Sequence, residues 1–363
     1  MSIHEDIQAV EEEIKKTPYN KATSHHIGKL KAKLARLREE LVKKAASKSG
    51  GEGYSVKKSG DASVALVGFP SVGKSTLLNK LTDANSEVGA YEFTTLDVIP
   101  GVLEYKNATI QILDVPGLVK GAASGRGRGR EVIAVVRNCD LVIFILDVFQ
   151  NYHHQVLKQE LYDAGIRLDQ SPPDVTIKRQ DRGGVVISST VKQDMPDDLI
   201  KAILNEYKIH NAHILMRKKI NVDQLIDAVL GNRVYIPSVE VINKVDMADE
   251  YVLEKCRTEF PNSTYISADK EVNLEAVKDV VYDSLNFISV YMKPQGESAD
   301  MDEPMILRSG TTVGDVCDHL HRDFRRKFRY SQIWGDSAKH PGQRAGLDHV
   351  LKDGDVITLI IAK

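Results

Sequence analysis

One glycine-rich segment limits what this chain can fold into more than any other feature. Residues 68–75 read Gly-Phe-Pro-Ser-Val-Gly-Lys-Ser; the apolar run 64–67 precedes them, and residues 76–81 have helical spacing. A strand, then G-x4-G-K-S, then a helix is the context of a phosphate-binding loop. Its backbone N–H groups surround a phosphate, and the helix N-terminus adds positive charge. The segment therefore predicts a P-loop, in which Lys74 contacts the β- and γ-phosphates and Ser75 binds Mg2+.

A second motif, far along the chain, indicates which nucleotide base is bound. Residues 243–246 read Asn-Lys-Val-Asp and follow the short apolar-rich run 239–242, which is typical of a buried strand. A carboxylate at this point accepts two hydrogen bonds from guanine, whereas adenine would leave it unpaired. Asp246 is therefore predicted to recognise guanine, and Asn243 and Lys244 are predicted to brace its loop. This prediction disfavours an ATPase. A backbone N–H at Ser267 or Ala268, after the strand that ends at residue 266, is predicted to contact guanine O6.

The segments between these motifs predict the remaining contacts to Mg2+ and the γ-phosphate. Thr95 is the favoured switch threonine, and the adjacent Thr94 is the alternative. Asp114 ends an apolar strand and would hold Mg2+ through water, while the N–H of Gly117 would contact the γ-phosphate. Many GTPases place a glutamine after this glycine, but this chain has Leu118, whose apolar side chain cannot orient water. The catalytic group must then come from another loop, a monovalent cation or a partner.

The stretch 121–130 combines glycines with Arg126, Arg128 and Arg130. Three interpretations remain open for these arginines: a cis arginine finger, an RNA contact, or a flexible switch whose arginines are only solvated. Two other basic regions have similar alternatives. The second N-terminal helix presents either a solvated basic face or a contact to RNA phosphates. Near the C-terminus, Arg and Lys residues at 322–329 alternate with aromatic residues at 324–334, which suits RNA, although phenylalanines at helical spacing favour a core role.

Length, net charge and cysteine spacing limit which classes of protein this chain can belong to. The 363 residues predict two or three domains, and a net charge of −2 gives no bulk electrostatic argument for nucleic acid. The three cysteines lie far apart, which predicts neither a disulfide framework nor a zinc site. The chain begins with a polar segment and has no long apolar run, so a cytoplasmic protein without membrane contact is expected.

The domain organisation follows from patterning. An apolar period in residues 1–46 predicts a helical hairpin, assigned to 1–50, and a Ser/Gly/Lys-rich linker ends near 60. A P-loop domain of α/β class is expected at 61–290, with a small α+β insert at about 166–220 that is interpreted as a docking surface. Residues 291–363 are expected to form a compact β-grasp domain.

Together these motifs resemble the developmentally regulated GTP-binding (DRG) family, a branch of the Obg-type GTPases. The resemblance covers essentially the whole chain and is carried by segments 20–23, 68–75, 91–96, 125–130, 206–209 and 231–235. It implies a TGS domain at the C-terminus and an insert similar to ribosomal S5 domain 2. It further implies a slow cytoplasmic GTPase that binds GTP and GDP, associates with ribosomes or RNA, and is stabilised by a DRG family regulatory protein.

The resemblance also sets the expected cofactors and site residues. Mg2+ is implied, bound by Ser75, Thr95 and Asp114. K+ is a further candidate activator, although related potassium-activated GTPases carry Asn where Ser71 stands. Lys74, Thr95 and Gly117 are the expected catalytic residues. The expected GTP-binding residues are Gly68, Pro70, Ser71, Val72, Gly73, Lys74, Ser75, Thr76, Asp114, Gly117, Asn243, Lys244, Asp246, Ser267 and Ala268.

Two points remain open at this level. The family often has an acid where this chain has Lys120, which changes the charge of the switch. The alternative function is a non-ribosomal signalling or scaffold GTPase whose domains dock proteins rather than RNA.

Overall fold

The computed structural model describes residues 3–18, 20, 22–46, 60–82, 98–115, 129–150 and 153–362. The helices are α1 (Ile3–Lys16), α2 (Ser24–Ala46), α3 (Lys74–Leu81), α4 (Gly129–Asn138), α5 (His153–Asp163), α6 (Asp197–Glu206), α7 (Val222–Leu230), α8 (Glu250–Glu259), α9 (Leu274–Ser284), α10 (Val313–Leu320) and α11 (Arg322–Lys327). The strands are β1 (Ala62–Val67), β2 (Ile99–Tyr105), β3 (Ala108–Asp114), β4 (Leu141–Asp147), β5 (Ile166–Leu168), β6 (Val175–Arg179), β7 (Val185–Ser189), β8 (Ala212–Met216), β9 (Val234–Ile236), β10 (Ser238–Asn243), β11 (Thr264–Tyr265), β12 (Phe287–Met292), β13 (Met305–Arg308), β14 (Phe328–Trp334), β15 (Gln343–Ala345) and β16 (Val356–Ile361).

The chain forms two compact units. The hairpin–insert unit contains Met1–Ser55, Leu118–Arg137 and Gln155–Ile236. The P-loop unit contains Val56–Gly117, Asn138–His154 and Pro237–Lys363. Among the described residues, none of the helices combines the length and apolar character needed to cross a bilayer.

The P-loop unit is built on a six-stranded sheet of order β11-β10-β4-β1-β3-β2. All of its strand pairs are parallel except the β2–β3 pair. Every residue of β1 is buried, as are the first six of β4. Continuous burial of nearly apolar runs such as these is typical of parallel strands covered on both faces. Helices α3 and α9 contribute Leu77, Leu78 and Val277 to the core on one face.

The C-terminal part of the P-loop unit is a mixed sheet of order β13-β12-β16-β14-β15. Its own core includes Val290, Val316 and Ile357, and Phe324 and Phe328 pack against that core. These two phenylalanines therefore have the packing role that their helical spacing favoured. The sheet also contacts the part of the unit built on the six-stranded sheet, since Arg308 on β13 forms an ion pair of 2.8 Å with Asp140.

The hairpin–insert unit begins with the helical hairpin. Val10, Leu30 and Leu37 form the buried seam between α1 and α2. The strands and helix predicted in the insert are present as β6, β7, β8 and α6, and β8 lies between the other two strands. Strands β5 and β9, at the two ends of this region, pair in parallel.

The hairpin packs on the insert and shares its core. Ala32 of α2 is fully buried among insert residues, and Tyr207 Oη donates a hydrogen bond of 3.1 Å to its carbonyl oxygen. A Cβ added at Gly28 of α2 would lie 2.8 Å from Leu199 Cδ1 of α6, so these two helices approach closely there. The hairpin is thus part of the insert's hydrophobic core.

Three basic residues of α2 form ion pairs within this unit. Lys31 pairs with Asp223 at 2.7 Å, and Arg36 pairs with Glu206 at 3.0 Å. Arg38 contacts both Glu11 and Asp163. The sequence-based alternatives for this basic face were solvation and RNA contact, and neither included these internal pairs.

Candidate nucleotide-binding site

The candidate site lies at one edge of the six-stranded sheet. The P-loop follows β1, Asp114 ends β3, and Asp147 and Asn243 end β4 and β10. These strands run parallel, so their carboxyl ends meet at the same edge. In open α/β sheets this edge is where ligands bind.

Two glycines of the P-loop are required by close approach. Gly73 has a φ of +96°, and a Cβ on it would lie 2.3 Å from Asn243 Nδ2. A Cβ on Gly68 would lie 2.6 Å from the carbonyl oxygen of Ile145 in β4. Helix α3 begins directly after Gly73, and none of the described side chains caps its first turn. The N–H groups of this helix end therefore remain available to a phosphate.

The side chain of Lys74 is held over the P-loop by backbone carbonyl groups of the loop. Its Nζ donates to the carbonyl oxygens of Gly68 at 2.9 Å and Phe69 at 3.1 Å. Burial lowers the pKa of Lys74, while the nearby Asp114 carboxylate acts in the opposite direction. Because burial disfavours the isolated charge, an anionic phosphate at this point would stabilise the ammonium form.

Ser75 and Asp114 face each other at the position expected for a metal. Ser75 Oγ donates to Asp114 Oδ2 at 2.6 Å, and Asp114 is 4% exposed. Its other oxygen, Oδ1, is buried and makes no hydrogen bond within the described part of the chain. A hydroxyl beside a carboxylate with an unused oxygen suits a hard cation that prefers oxygen ligands. These residues therefore fit Mg2+.

Asn243 joins the P-loop to the guanine motif. Its Nδ2 donates to the carbonyl oxygen of Val72 at 2.8 Å, and its Oδ1 accepts from Ala268 N at 2.9 Å. Lys244 has a φ of +68°, and its Nζ lies 2.7 Å from Asp147 Oδ2. Asp246 lies in a 3₁₀ turn, Val245–Met247, with its side chain exposed. The two bracing residues are thus engaged by protein groups, and the carboxylate is accessible to a base.

The Ser267–Ala268 loop is ordered by its own contacts. Ser267 is buried and exchanges two backbone hydrogen bonds with Val272. The N–H of Ala268 donates to Asn243 Oδ1. If the same N–H contacts guanine O6, it must either serve both acceptors or give up its hydrogen bond to Asn243.

Several sequence-predicted residues lie outside the described residues. These are Thr94, Thr95, Gly117, Leu118, Lys120 and the glycine- and arginine-rich stretch as far as residue 128. Their expected roles in metal binding and catalysis stay predictions. The described chain resumes at Gly129, where α4 begins.

Two contacts of the site were missed by sequence reasoning. Asp147 holds Lys244, and Phe69 of the P-loop stacks on His153 with ring centroids 3.8 Å apart. The position of Asp147 could have been predicted from the sequence. It directly follows the apolar run 141–146, which places it at the same sheet edge. The partner of Phe69 had none, because the two rings are far apart in the sequence.

Family models match almost all of the chain from residue 63 onward. The model described as 50S ribosome-binding GTPase matches residues 63–179, the C-terminal region of the MMR_HSR1 domain matches residues 182–287, and the TGS domain matches residues 288–361. The fold and the matches define a P-loop GTPase with a C-terminal TGS domain. The fold class expected from the sequence is thereby confirmed.

Full-length relatives place the chain more narrowly. An uncharacterized GTP-binding protein of Methanocaldococcus jannaschii is 57% identical, over 100% of this chain and 94% of the relative. The developmentally-regulated GTP-binding protein 1 homolog of Dictyostelium discoideum is 46% identical, over 99% and 100%. Ribosome-interacting GTPase 1 of Saccharomyces cerevisiae is 46% identical, over 98% of each chain. The chain belongs to the developmentally regulated GTP-binding protein family of GTPases, as the motifs predicted.

Proposed function

We propose that this GTPase hydrolyses GTP slowly and acts in the cytoplasm as a ribosome-associated switch, together with a regulatory protein partner. The observation that carries the nucleotide part is the Asn243 side chain, which ties Val72 of the P-loop to the loop of Asp246. That link would hold the phosphate and base sites at a fixed separation. Asp246 then selects guanine, and Lys74 neutralises charge on the β- and γ-phosphates.

Mg2+ supplies charge neutralisation at the β- and γ-phosphate oxygens when it is bound. Ser75 would ligate it directly, with Asp114 behind through water and Thr95 completing the protein ligands. Gly117 would contact the γ-phosphate through its N–H. The buried, unpartnered Oδ1 of Asp114 supports this assignment.

Slow turnover is inferred from Leu118. Because its side chain cannot orient the attacking water, we expect an unaided rate on the order of 10⁻⁴ to 10⁻² per second, as in GTPases without a supplied catalytic group. An arginine of the 121–130 stretch, a bound K+ or the protein partner would provide the missing group. A single-turnover assay of the isolated protein measures this rate, and a value near 1 per second would contradict the proposal.

The ribosomal part rests on the relatives. The yeast relative is named as a ribosome-interacting GTPase, and the family model over residues 63–179 is described as 50S ribosome-binding. Resemblance to the family further implies a regulatory protein that stabilises the GTPase. A cytoplasmic location follows from this assignment to the ribosome.

Co-sedimentation with ribosomes tests the proposal. Purified protein is sedimented with ribosomes under GDP and under a non-hydrolysable GTP analogue, across a salt series. We expect stronger binding with the analogue and a steep loss with salt, because phosphate contacts are exchanged for counterions. Asp246→Asn serves as the matched control, since it should respond to the xanthosine analogue instead.

Absence of binding in both nucleotide states, with and without the regulatory protein, would overturn the ribosomal proposal. That result would favour the signalling or scaffold GTPase whose domains dock proteins.

A further inference from the structure

The three-stranded sheet of the insert has two edge strands. Strand β8 lies in the middle, with β6 on one side and β7 on the other. Among residues 153–362, all of which the structure describes, each of these edge strands pairs with β8 alone. An edge strand presents backbone N–H and C=O groups with which a further strand can pair. The two edges of this sheet differ in how far they discourage such pairing.

Strand β6 has the usual protection of an edge strand, and β7 lacks it. Lys178 and Arg179 end β6, and Pro172 and Pro173 lie shortly before it. Charged side chains and prolines are the means by which natural sheets discourage pairing at an edge. Strand β7 reads Val-Val-Ile-Ser-Ser, with neither a charge nor a proline, and its Val186 is 49% exposed. The edge of β7 is therefore the one suited to pairing.

The ladder between β7 and β8 shows which residues face the open edge. It begins at the C=O of Gly184 and ends at the N–H of Thr190, each in a hydrogen bond of 3.0 Å to β8. Alternate residues of a strand direct their backbone groups to opposite sides. Val185, Ile187 and Ser189 therefore direct their N–H and C=O groups away from β8, toward the open edge.

A groove of about 370 Å³ adjoins this edge. Its apolar lining consists of Ile187, Val191, Met195 and Met216. Ile187 and Met195 pack against the insert's core from partly buried positions, and Val191 is 40% exposed. A strand paired with β7 would direct every second side chain to this side of the sheet. The groove therefore offers an apolar surface to alternate side chains of an added strand.

Both ends of β7 are basic. The segment 178–184 before it carries three cations and one carboxylate, and Lys192, just after it, lines the groove. Lys192 forms no ion pair with another residue that the structure describes, whereas the nearby Asp194 pairs with Lys219 at 2.6 Å. Asp197 also lines the groove, but it lies in the first turn of α6, where the helix dipole stabilises its charge. Acidic groups at the two ends of an added strand would complement this pattern.

We propose that β7 is the docking site for an extended peptide segment of a protein partner, which joins the sheet as a fourth strand. Only an extended polypeptide matches the N–H and C=O groups along the edge, and pockets beside such an edge select alternate side chains. The segment has apolar side chains at every second position and acidic residues at its ends. A second copy of this chain fits less well, because antiparallel pairing of two β7 strands brings the basic segment 178–184 of one copy toward Lys192 of the other.

This inference goes beyond the proposed function, since it requires neither a ribosome nor a nucleotide. The test uses the full-length protein and a fluorescein-labelled peptide of sequence E-V-T-V-T-V-E, whose charge pattern suits a parallel or an antiparallel direction. We expect a saturable rise in its anisotropy, and no such rise for E-V-T-P-T-V-E, in which a proline interrupts the strand. Hydrogen–deuterium exchange of the wild type should slow in β7 and stay unchanged in β6 when the first peptide binds.

Ile187→Pro removes an N–H that faces the open edge and takes no part in the ladder to β8. We expect it to weaken peptide binding roughly 5- to 150-fold. Ile177→Pro is the matched control: Ile177 is partly buried against the same core, and its N–H faces the outer edge of β6, because Asp174 and Gln180 bond to β8 and its flanking residues. Both variants should lose similar stability in thermal unfolding, but Ile177→Pro should keep wild-type affinity for the peptide.

A charge exchange tests the same site without changing the backbone. Lys192→Glu should weaken binding of E-V-T-V-T-V-E roughly 2- to 5-fold, the range of an exposed ion pair, and should bind K-V-T-V-T-V-K better than the wild type does.

Failure of the wild type to bind E-V-T-V-T-V-E would overturn the inference. Equal affinity in Ile187→Pro and the wild type, or protection from exchange outside β7 only, would do the same. Sedimentation velocity of the protein alone adds one further outcome: a dimer that Ile187→Pro abolishes would assign β7 to a second copy and refute the partner peptide. Co-sedimentation with ribosomes is a separate measurement, so the proposed function stands or falls independently of these results.

Discussion

The side-chain amide of Asn243 donates to the carbonyl oxygen of Val72 at 2.8 Å, although 171 positions separate the two residues. The same amide accepts a hydrogen bond from Ala268 N. One buried side chain therefore fixes the phosphate loop, the loop of Asp246 and the loop after β11. In the proposed function, this arrangement holds Asp246, after β10, at a fixed position relative to the phosphate loop after β1.

Replacing this amide should weaken nucleotide binding. Asn243→Ala leaves the Val72 carbonyl and the Ala268 N–H without their partner, at a cost of about 2–4 kcal/mol. That cost corresponds to roughly 30- to 700-fold in affinity. Titration with a fluorescent GDP analogue measures the effect, and the exposed Asn262→Ala is the control. Equal affinity in Asn243→Ala and the wild type would show that the bridge does not position the loops.

Asp246 should control base selectivity. In Asp246→Asn the amide can no longer accept two hydrogen bonds from guanine N1–H and the exocyclic amine, so GTP affinity should fall and xanthine nucleotides should be preferred. Competition between GTP and XTP for the labelled analogue measures this. Asp269→Asn, in a neighbouring exposed position, should retain the preference for GTP. Unchanged preference in Asp246→Asn would remove Asp246 from its proposed role.

Removal of Mg2+ should expose the role of Ser75. We expect chelation with EDTA to weaken GTP binding by the wild type, whereas Ser75→Ala should bind weakly with or without the metal, because it lacks the hydroxyl that faces Asp114. Thr258→Ala, whose hydroxyl bonds to Glu254 on α8, is the control. A variant at Ser75 that keeps the full response to EDTA would refute this ligand assignment.

The stability of the hairpin–insert unit should depend on a buried ion pair. Arg167 and Asp227 are 4% and 5% exposed, and two guanidinium nitrogens contact the carboxylate at 2.6 and 2.8 Å. Arg167→Met leaves Asp227 with Arg233 as its remaining cation, and we expect a loss of about 3 kcal/mol. Hydrogen–deuterium exchange of peptides from β6 to β8 measures the local stability.

The exposed pair of Arg217 with Asp174 provides the control for this prediction. Arg217→Met should change the free energy of local opening, as measured by exchange, by less than about 1 kcal/mol. Exposed ion pairs contribute little to stability. Equal protection in Arg167→Met and Arg217→Met would contradict a structural role for the buried pair.

Much of the candidate site was predictable because its residues occupy fixed positions in short motifs. A strand followed by a glycine loop and a helix predicts where Lys74 and Ser75 lie, and a polar residue at a strand end predicts Asp114. The specific contacts were not predictable. That Asn243 reaches Val72, or that Phe69 stacks on His153, depends on which strands are neighbours in the sheet, and the local sequence does not encode that order.

The sequence by itself determined the class of fold and predicted which carboxylate would read the base, because apolar periodicity and motif spacing act over a few residues. Only the tertiary structure decided the role of the basic hairpin helix. Arg36 and Lys31 of α2 meet Glu206 and Asp223, which are 170 and 192 positions away. Charge patterning along a helix cannot predict such pairs, since their formation depends on the packing of α2 against the insert. The same packing places Ala32 in the insert's core and makes the hairpin part of that module.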